Sequence, residues 1–145
     1  MEIKMNALKG LEIARKKILF RPDINSPIDP VTKKIVNDNR LKKNAVTLKY
    51  MLENGAAVAL IAHQGDTQDY QNLIPLMEHA QKLTALTGHP VHYIDDVCGP
   101  AAIEAVKKLP AGEAIILGNL RYLGEELSTF SNFVKLSPEE MQSVW

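Results

Sequence analysis

The sequence predicts an α/β domain of three layers, in which a mainly parallel sheet lies between helices. Four short apolar runs, each followed by polar residues, alternate with segments whose apolar residues recur at helical spacing. Strands and helices that alternate in this way form parallel sheets with right-handed crossover connections. At 145 residues the chain has the length of a single domain of this class, so we expect one domain over residues 1–145.

Composition and charge exclude several classes of function. Hydrophobic residues make up 46% of the chain, and Lys+Arg and Asp+Glu both total 17, so the formal net charge is zero. No global field attracts nucleic acid or an anionic membrane, and we expect neither as a partner. Cys98 is the only cysteine, which excludes a disulfide framework within the chain and favours the cytoplasm. The N-terminus lacks the apolar core of a secretory signal, and no run approaches the ~20 apolar residues of a membrane span.

The first strand and helix are predicted from the residues around a proline-rich loop. The run Ile18-Leu19-Phe20 predicts a buried strand over 17–21, and three prolines predict a stiff, extended loop over 22–37. Asp38 is expected to cap a helix whose leucines and alanines recur every three or four residues. Gly55 is expected as the left-handed residue that ends this helix.

The remaining elements follow in the same alternation. They are predicted at 57–62 (strand), 71–87 (helix), 91–94 (strand), 100–109 (helix) and 114–117 (strand). The second helix is expected to end at Gly88 and to bury Leu73, Leu76 or Met77, Ala80 and Leu83.

The end of the chain predicts a further short helix. Ser137-Pro138-Glu139-Glu140 is a typical helix start, and Met141, Val144 and Trp145 would form an apolar patch with nothing after it to cover it. We interpret the chain as a domain cut from a longer protein, although a short docked terminal helix is an alternative.

Polar residues follow all four predicted strands, where parallel strands share one edge of the sheet. They are Arg21, Asp23, Asn25, His63, Asp66, Asp95, Asp96, Asn119 and Arg121, with Arg40 of the first helix within reach. Ligands of open α/β sheets bind at this edge. Guanidinium groups bind phosphate and carboxylate bidentately, and helix N-termini add partial positive charge. The set therefore predicts a site for a small phosphorylated or carboxylated substrate.

Each member of this set also has a structural interpretation. Asp23 and Asn25 could be turn formers before a proline, and a histidine directly after an apolar strand, as His63 is, is more often structural than a ligand. Asp95 and Asp96 could hold a cation or could cap the next helix. The other three histidines are expected to be surface or structural residues, and Cys98 to be a small core residue.

Several catalytic motifs are absent from the sequence. There is no G-x-x-x-x-G-K-[ST] or G-x-G-x-x-G phosphate loop and no G-x-S-x-G nucleophile turn. No two histidines have zinc-binding spacing on one helix, and no metal site is predicted.

The order of these segments resembles that of phosphoglycerate kinases, in particular the N-terminal domain of the archaeal-type branch. Residues 16–126 carry the resemblance through Arg21-Pro-Asp-Ile-Asn-Ser-Pro27 (R-V-D-[FI]-N-x-P), Asp38-Asn-Arg40 (D-x-R), Ala62-His-Gln-Gly65 (S/A-H-[LQ]-G), Tyr93-Ile-Asp-Asp-Val97 (V/I-D-D) and Leu117-Gly-Asn-Leu-Arg-Tyr122 (L-E-N-[LV]-R-[FY]).

The resemblance implies a Rossmann-like N-terminal domain of a two-domain cytoplasmic glycolytic kinase. Such an enzyme transfers a phosphoryl group between 1,3-bisphosphoglycerate and ADP, giving 3-phosphoglycerate and ATP. It further implies that this domain binds the glycerate phosphate and that Mg-ATP or Mg-ADP binds a C-terminal domain absent here, so no cofactor is expected in this chain. The implied substrate-binding positions are Asp23, Ile24, Asn25, Arg40, His63, Gln64, Gly65, Asp66 and Arg121, with no catalytic residue beyond substrate positioning.

Three departures from the family pattern weaken the expected activity. Asp66 stands where the family has an arginine, which could cost several kcal/mol for a phosphate about 5 Å away at an effective dielectric near 20. Gly118 replaces a glutamate that would partner a neighbouring basic group. The chain also stops before the nucleotide domain, so it is expected to be inactive alone and to bind substrate weakly.

Two other functions are compatible with the same residues. The chain could be a catalytically degenerate relative of these kinases that serves as a binding or scaffold module. A magnesium-dependent phosphatase with Asp23 as nucleophile is a weaker alternative, because Asn25 stands where such enzymes carry a second aspartate.

Overall fold

The computed structural model describes residues 7–66 and 72–127. A four-stranded sheet forms the centre, with every neighbouring pair of strands parallel. Its strands are β1 (Lys17–Phe20), β2 (Ala57–Leu60), β3 (Val91–Tyr93) and β4 (Ala114–Ile116), in the order β1-β2-β4-β3. The predicted α/β class is confirmed, and each strand ends within two residues of its predicted end.

Helices connect the strands as the periodicity predicts. They are α1 (Asn39–Glu53), α2 (Met77–Thr87), α3 (Pro100–Lys108) and the short α4 (Gly124–Leu127), with single 3₁₀ turns at Leu8–Gly10 and Leu120–Tyr122. Gly55 and Gly88 have φ angles of 77° and 74°, the left-handed conformation expected of residues that end a helix.

Helices cover both faces of the sheet, which gives the three predicted layers. Val58 and Leu60 of β2 pack with apolar residues of α1 and α2 in one core cluster. Ala57 and Ala59 point to the opposite face and pack beside Ala102 of α3 in a second cluster. Both faces of β2 are therefore buried, as its continuous apolar run requires.

The second helix begins later than predicted. It starts at Met77 rather than near residue 71, because Pro75 disfavours helical conformation in the preceding residue and cannot occupy a helix interior. The buried face is nevertheless the predicted one, with Leu76 rather than Met77 facing the core. Leu76, Ala80 and Leu83 are buried, whereas Met77 is 53% exposed.

One further residue prediction is confirmed and another is wrong. Asp38 is the N-cap residue of α1, as predicted, although its carboxylate makes no capping hydrogen bond and pairs with Lys42 Nζ at 2.8 Å. Cys98 is exposed rather than part of the core, because it lies in the loop between β3 and α3.

Two findings concern the rest of the chain. Among the described residues, no helix is both long and apolar enough to cross a membrane. The helix and apolar patch predicted at residues 137–145 lie outside the described residues.

Candidate functional site

The segment after β1 continues as extended chain, and this conformation separates its polar and apolar side chains. Arg21 and Asp23 are exposed and Asn25 is half-buried, whereas the alternate residues Pro22 and Ile24 are buried. Successive side chains of extended backbone point to opposite sides. The three predicted polar residues therefore share one side at the carboxyl end of β1.

The segments after β2 and β4 lie beside this one and extend the pairing of the strands. Ile61 N donates to Phe20 O at 3.0 Å, and Leu120 N donates to Ala62 O at 3.0 Å. Three polar segments, 21–26, 61–66 and 117–122, therefore meet at one edge of the sheet.

Gln64 joins the first two segments through its side chain, which is 2% exposed. Its Oε1 accepts from Ser26 N at 2.9 Å, and its Nε2 donates to Ser26 O at 2.9 Å. His79 Nε2 lies 3.0 Å from the same Oε1. Because Oε1 can only accept, His79 must carry its proton on Nε2.

Asn119 joins the second and third segments and is fully buried. Its Oδ1 accepts from Gln64 N and from Arg121 N, both at 3.1 Å. Its Nδ2 donates to Gln64 O at 2.9 Å and to Ile74 O at 3.0 Å. All four hydrogen-bonding positions of the amide are filled. We refer to Ser26, Gln64, His79 and Asn119 as the buried polar cluster.

Asn25 and Gly65 add a second link between the first two segments. Asn25 Oδ1 accepts from Gly65 N at 3.2 Å, and Asn25 Nδ2 donates to Gly65 O at 3.3 Å. Gly65 has a φ of 94°, and a Cβ there would lie 2.8 Å from both Asn72 O and Leu73 Cδ2. Only glycine fits this position without displacing its neighbours.

Charged side chains lie on the same segments and on the first turn of α1. Arg40, in the first turn of α1, donates from Nη1 to Asp23 at 2.8 and 3.0 Å, one distance to each carboxylate oxygen. Asn44, one turn later, donates to Asp23 O at 2.8 Å and holds the segment against α1. We refer to Asp23, Arg40, His63, Asp66 and Arg121 as the charged rim.

Arg121 is the most buried charge of the rim. Its side chain is 17% exposed, and its Nη1 lies 3.9 Å from Asp66 Oδ1, whose side chain is 84% exposed. Among the described residues Arg121 Nη1 is buried and has no hydrogen-bond partner. A buried donor without an acceptor is costly, so an anion at this position would be favoured.

His63 lies within the field of the same charges. Burial is the main cause that lowers the pKa of its imidazole, and the positive charges of Arg121 and Arg21 lower it further. Asp23 and Glu126 oppose this shift. His63 is therefore neutral at pH 7 and can offer one donor and one acceptor to a ligand.

The structure does not bring every predicted residue into the site. Asp96 accepts from Gly99 N at 2.8 Å and from Ala102 N at 3.0 Å at the start of α3. These hydrogen bonds lower the pKa of the Asp96 carboxyl, and the one from Ala102 N has the largest effect. Asp95 accepts from Tyr93 at 2.6 Å. The capping interpretation of Asp96 is confirmed, and among the described residues no group of three or more His, Cys, Asp or Glu could hold a metal ion.

Two other candidates, Ile24 and Arg21, have mainly structural contacts, and so does Gly118. The Ile24 side chain is fully buried in the core, so only its backbone could contact a ligand. Arg21 donates to Glu126 of α4. A side chain at Gly118 would lie 3.0 Å from Val97 Cγ2, so the neighbouring loop closes over the position where the resemblance implies a glutamate.

Sequence reasoning missed two members of the buried polar cluster. Ser26 lies within the Arg21–Pro27 motif but is not predicted as a site residue, and His79 is predicted to be a surface or structural residue, of which the structural alternative agrees with its burial. Their partner Gln64 lies 38 residues from Ser26 and 15 from His79 along the chain. No local pattern could have paired them.

Comparison with known proteins gives a consistent assignment. The family model described as phosphoglycerate kinase matches residues 8–141. A phosphoglycerate kinase of Sulfolobus acidocaldarius is 37% identical over 126 residues, covering 87% of this chain and 30% of the relative. One of Methanobacterium bryantii is 35% identical over 127 residues, covering 88% and 31%.

A solved structure agrees with the sequence relatives. The crystal structure of phosphoglycerate kinase from Pyrococcus horikoshii OT3 superposes with a TM-score of 0.77 at 36% identity, covering 83% of this chain and 29% of that one. The chain thus spans about 30% of the length of the curated relatives it matches. The predicted family is confirmed, and this chain belongs to the phosphoglycerate kinase family.

Proposed function

We propose that this chain is the N-terminal, substrate-binding part of a phosphoglycerate kinase. It would hold the glycerate phosphate during phosphoryl transfer between 1,3-bisphosphoglycerate and ADP. The observation that carries the proposal is the meeting of three polar segments at one sheet edge, where Arg121 presents a buried donor that has no acceptor within residues 7–66 and 72–127. Relatives with matching sequence are named phosphoglycerate kinase, which supports the choice of substrate.

Each residue of the charged rim can take a separate role toward 3-phosphoglycerate or 1,3-bisphosphoglycerate. The Arg121 guanidinium and neutral His63 can donate to phosphate or carboxylate oxygens, and Arg40 adds a second positive charge. Asp23 can accept from the substrate hydroxyl while it holds Arg40. Asn25, Gly65 and Asp66 lie on the same segments, next to the buried Ile24 and Gln64.

This division of roles suits the chemistry of phosphoryl transfer. Such reactions depend on positioning and charge neutralisation rather than on a covalent protein nucleophile. We assign Mg-ATP or Mg-ADP to a C-terminal domain beyond this chain and the complete enzyme to the cytoplasm. The 145-residue chain is then inactive alone and has that domain as its partner.

Ligand titration by ¹⁵N-resolved NMR tests substrate binding. We expect 3-phosphoglycerate to shift backbone resonances of residues 23–25, 63–66 and 119–121 and to leave α3 unchanged. Arg121→Met should abolish the shifts. Lys108→Met is the matched control. Lys108 pairs with Glu104 on α3. The last turn of α3 contacts Lys17 at the start of β1, at the opposite edge of the sheet. Unchanged spectra at tens of millimolar ligand would refute the proposal of retained binding.

A coupled assay tests where the nucleotide binds. With Mg-ATP and 3-phosphoglycerate, the chain alone should release no ADP above background. Turnover by this chain would overturn the assignment of the nucleotide to a separate domain.

The Asp66–Arg121 pair favours one second candidate, a catalytically degenerate binding or scaffold module. In that case the carboxylate of Asp66 takes the place of a substrate anion, and the rim no longer binds phosphoglycerate. The NMR titration separates the two functions, because a module of this kind shows no shifts at the rim while keeping its fold.

A further inference from the structure

Every arginine at the candidate site already faces a carboxylate of the chain. The pairs are Arg40 with Asp23 at 2.8 Å, Arg121 with Asp66 at 3.9 Å, and Arg21 with Glu126. A ligand anion therefore approaches arginines whose charge is already opposed, and it must compete with these carboxylates.

The Asp66–Arg121 pair differs from the other two. Its 3.9 Å separation exceeds hydrogen-bond distance, so Asp66 supplies opposing charge without satisfying the Arg121 donor. Arg121 Nη1 accordingly stays buried and without a hydrogen-bond partner among the described residues. Arg40, in contrast, is hydrogen-bonded to both oxygens of Asp23.

We propose that Asp66 is the residue that sets the anion affinity and the charge selectivity of the rim, by opposing ligand charge at Arg121. This inference rests on the proposed substrate-binding function. The backbone at Gly65 is fixed by two hydrogen bonds to Asn25, which holds the next residue, Asp66, at the rim. The Asp66 side chain is 84% exposed, and its carboxylate lies 3.9 Å from Arg121 Nη1.

The repulsion between Asp66 and a bound anion should depend on the charge of the anion. Coulomb repulsion is proportional to the charge it acts on, so a phosphate dianion is disfavoured more than a carboxylate monoanion at the same position. Asp66 therefore selects against phosphorylated acids relative to their unphosphorylated forms. A neutral residue of the same shape should weaken this selection.

Two variants of equal charge change test the proposal. Asp66→Asn and Glu126→Gln each remove one negative charge beside an arginine of the same edge, and Glu126→Gln is the matched control. Dissociation constants for 3-phosphoglycerate and D-glycerate would be measured by calorimetry or NMR at constant low ionic strength. Denaturation midpoints equal to that of the unmodified chain would show that both variants fold.

We expect a change in affinity that occurs only in the Asp66 variant and is larger for the more highly charged ligand. Asp66→Asn should lower the dissociation constant of 3-phosphoglycerate by about tenfold and that of D-glycerate by about threefold. Glu126→Gln should change either dissociation constant by less than about twofold. Equal gains in both variants, or equal gains for both ligands, would overturn the proposed role of Asp66.

Failure of the inference and failure of the proposed function give different results. If the unmodified chain binds 3-phosphoglycerate and Asp66→Asn binds it no more tightly, the role of Asp66 is refuted and substrate binding stands. If only Asp66→Asn binds, Asp66 has the proposed role and the unmodified chain is a degenerate module. If no variant binds, both proposals fall.

Discussion

The buried polar cluster and the charged rim meet at the same three segments but are built in opposite ways. Gln64 and Asn119 are 2% and 0% exposed, and their side-chain hydrogen bonds measure 2.9–3.1 Å. In the rim, Asp23 and Arg40 are 63% and 52% exposed, and Arg121 and Asp66 are 3.9 Å apart. The buried polar cluster therefore holds the three segments in place, whereas the charged rim can respond to a ligand.

Removal of the Asn119 amide should have the largest effect on stability. Asn119→Ala would leave two N–H groups and two carbonyls without their partners, of which Gln64 N and Gln64 O are buried and Arg121 N and Ile74 O are half-buried. Each unsatisfied buried group costs about 1–3 kcal/mol, and partial rearrangement should reduce the total loss to about 4 kcal/mol. Urea denaturation measures this loss as a lower midpoint with an unchanged slope.

Asn25→Ala is the comparison variant, because Asn25 also bridges two segments but is only half-buried. Water can replace its two hydrogen bonds, and we expect a loss of about 1 kcal/mol. Equal losses in the two variants would show that burial does not separate the cluster from the rim.

Acid should destabilise the cluster through His79. Burial is the main cause that lowers the pKa of His79 to about 4, Lys82 lowers it further, and the Ile24 backbone opposes the shift. The unfolded chain takes up the proton near pH 6.5 and the folded chain does not, so stability is complete above pH 6.5 and falls from there toward pH 4. The shift corresponds to a loss of about 3 kcal/mol by pH 4.

His79→Gln tests this pH dependence, since glutamine can still donate to Gln64 but does not titrate. Unfolding free energies of both proteins would be measured between pH 7.5 and pH 4. The advantage of the unmodified chain should shrink by about 3 kcal/mol over that range, because carboxylates common to both proteins cancel in the difference. Two parallel curves would contradict a buried neutral His79.

Gly65→Ala should disturb the junction between cluster and rim. A Cβ at φ 94° would lie 2.8 Å from Asn72 O, and backbone strain of this kind costs about 2 kcal/mol. Gly10→Ala is the matched control, since nothing lies within 4 Å of its added Cβ. Thermal unfolding should show a lower midpoint for Gly65→Ala alone, and an equal midpoint for both variants would contradict the structure at this turn.

The sequence predicts the rim better than the cluster. Arg121, His63 and Asp23 could be found because each follows an apolar run, and parallel strands place such residues at one edge. The contact of Gln64 with Ser26 and His79 depends on how distant segments pack, which no spacing along the chain encodes. The burial of Gln64 and of the Ile24 side chain likewise depends on tertiary packing.

Two predictions failed for different reasons, one visible in the sequence and one not. The late start of α2 was visible in the sequence, because Pro75 is incompatible with a helix that begins near residue 71. The exposure of Cys98 was not visible, since a small apolar residue in a loop carries no signal for either face. The long, fully apolar run of β2 was predictable because it leaves no alternative to burial.

The Asp23–Arg40 pair should show the smallest energy, although it has ideal hydrogen-bond distances of 2.8 and 3.0 Å. Both side chains are more than half exposed, so water and salt screen their attraction. A double-mutant cycle with Asp23→Asn and Arg40→Met should give a coupling free energy of about 0.5 kcal/mol in urea denaturation, decreasing at high salt. A coupling free energy above about 2 kcal/mol would mean that this pair stabilises the fold as the buried polar cluster does. The rim and the cluster would then no longer have separate roles in ligand binding and stability. A small coupling means that the pair orients Arg40 at little cost, so a ligand can draw the guanidinium away without unfolding the segment.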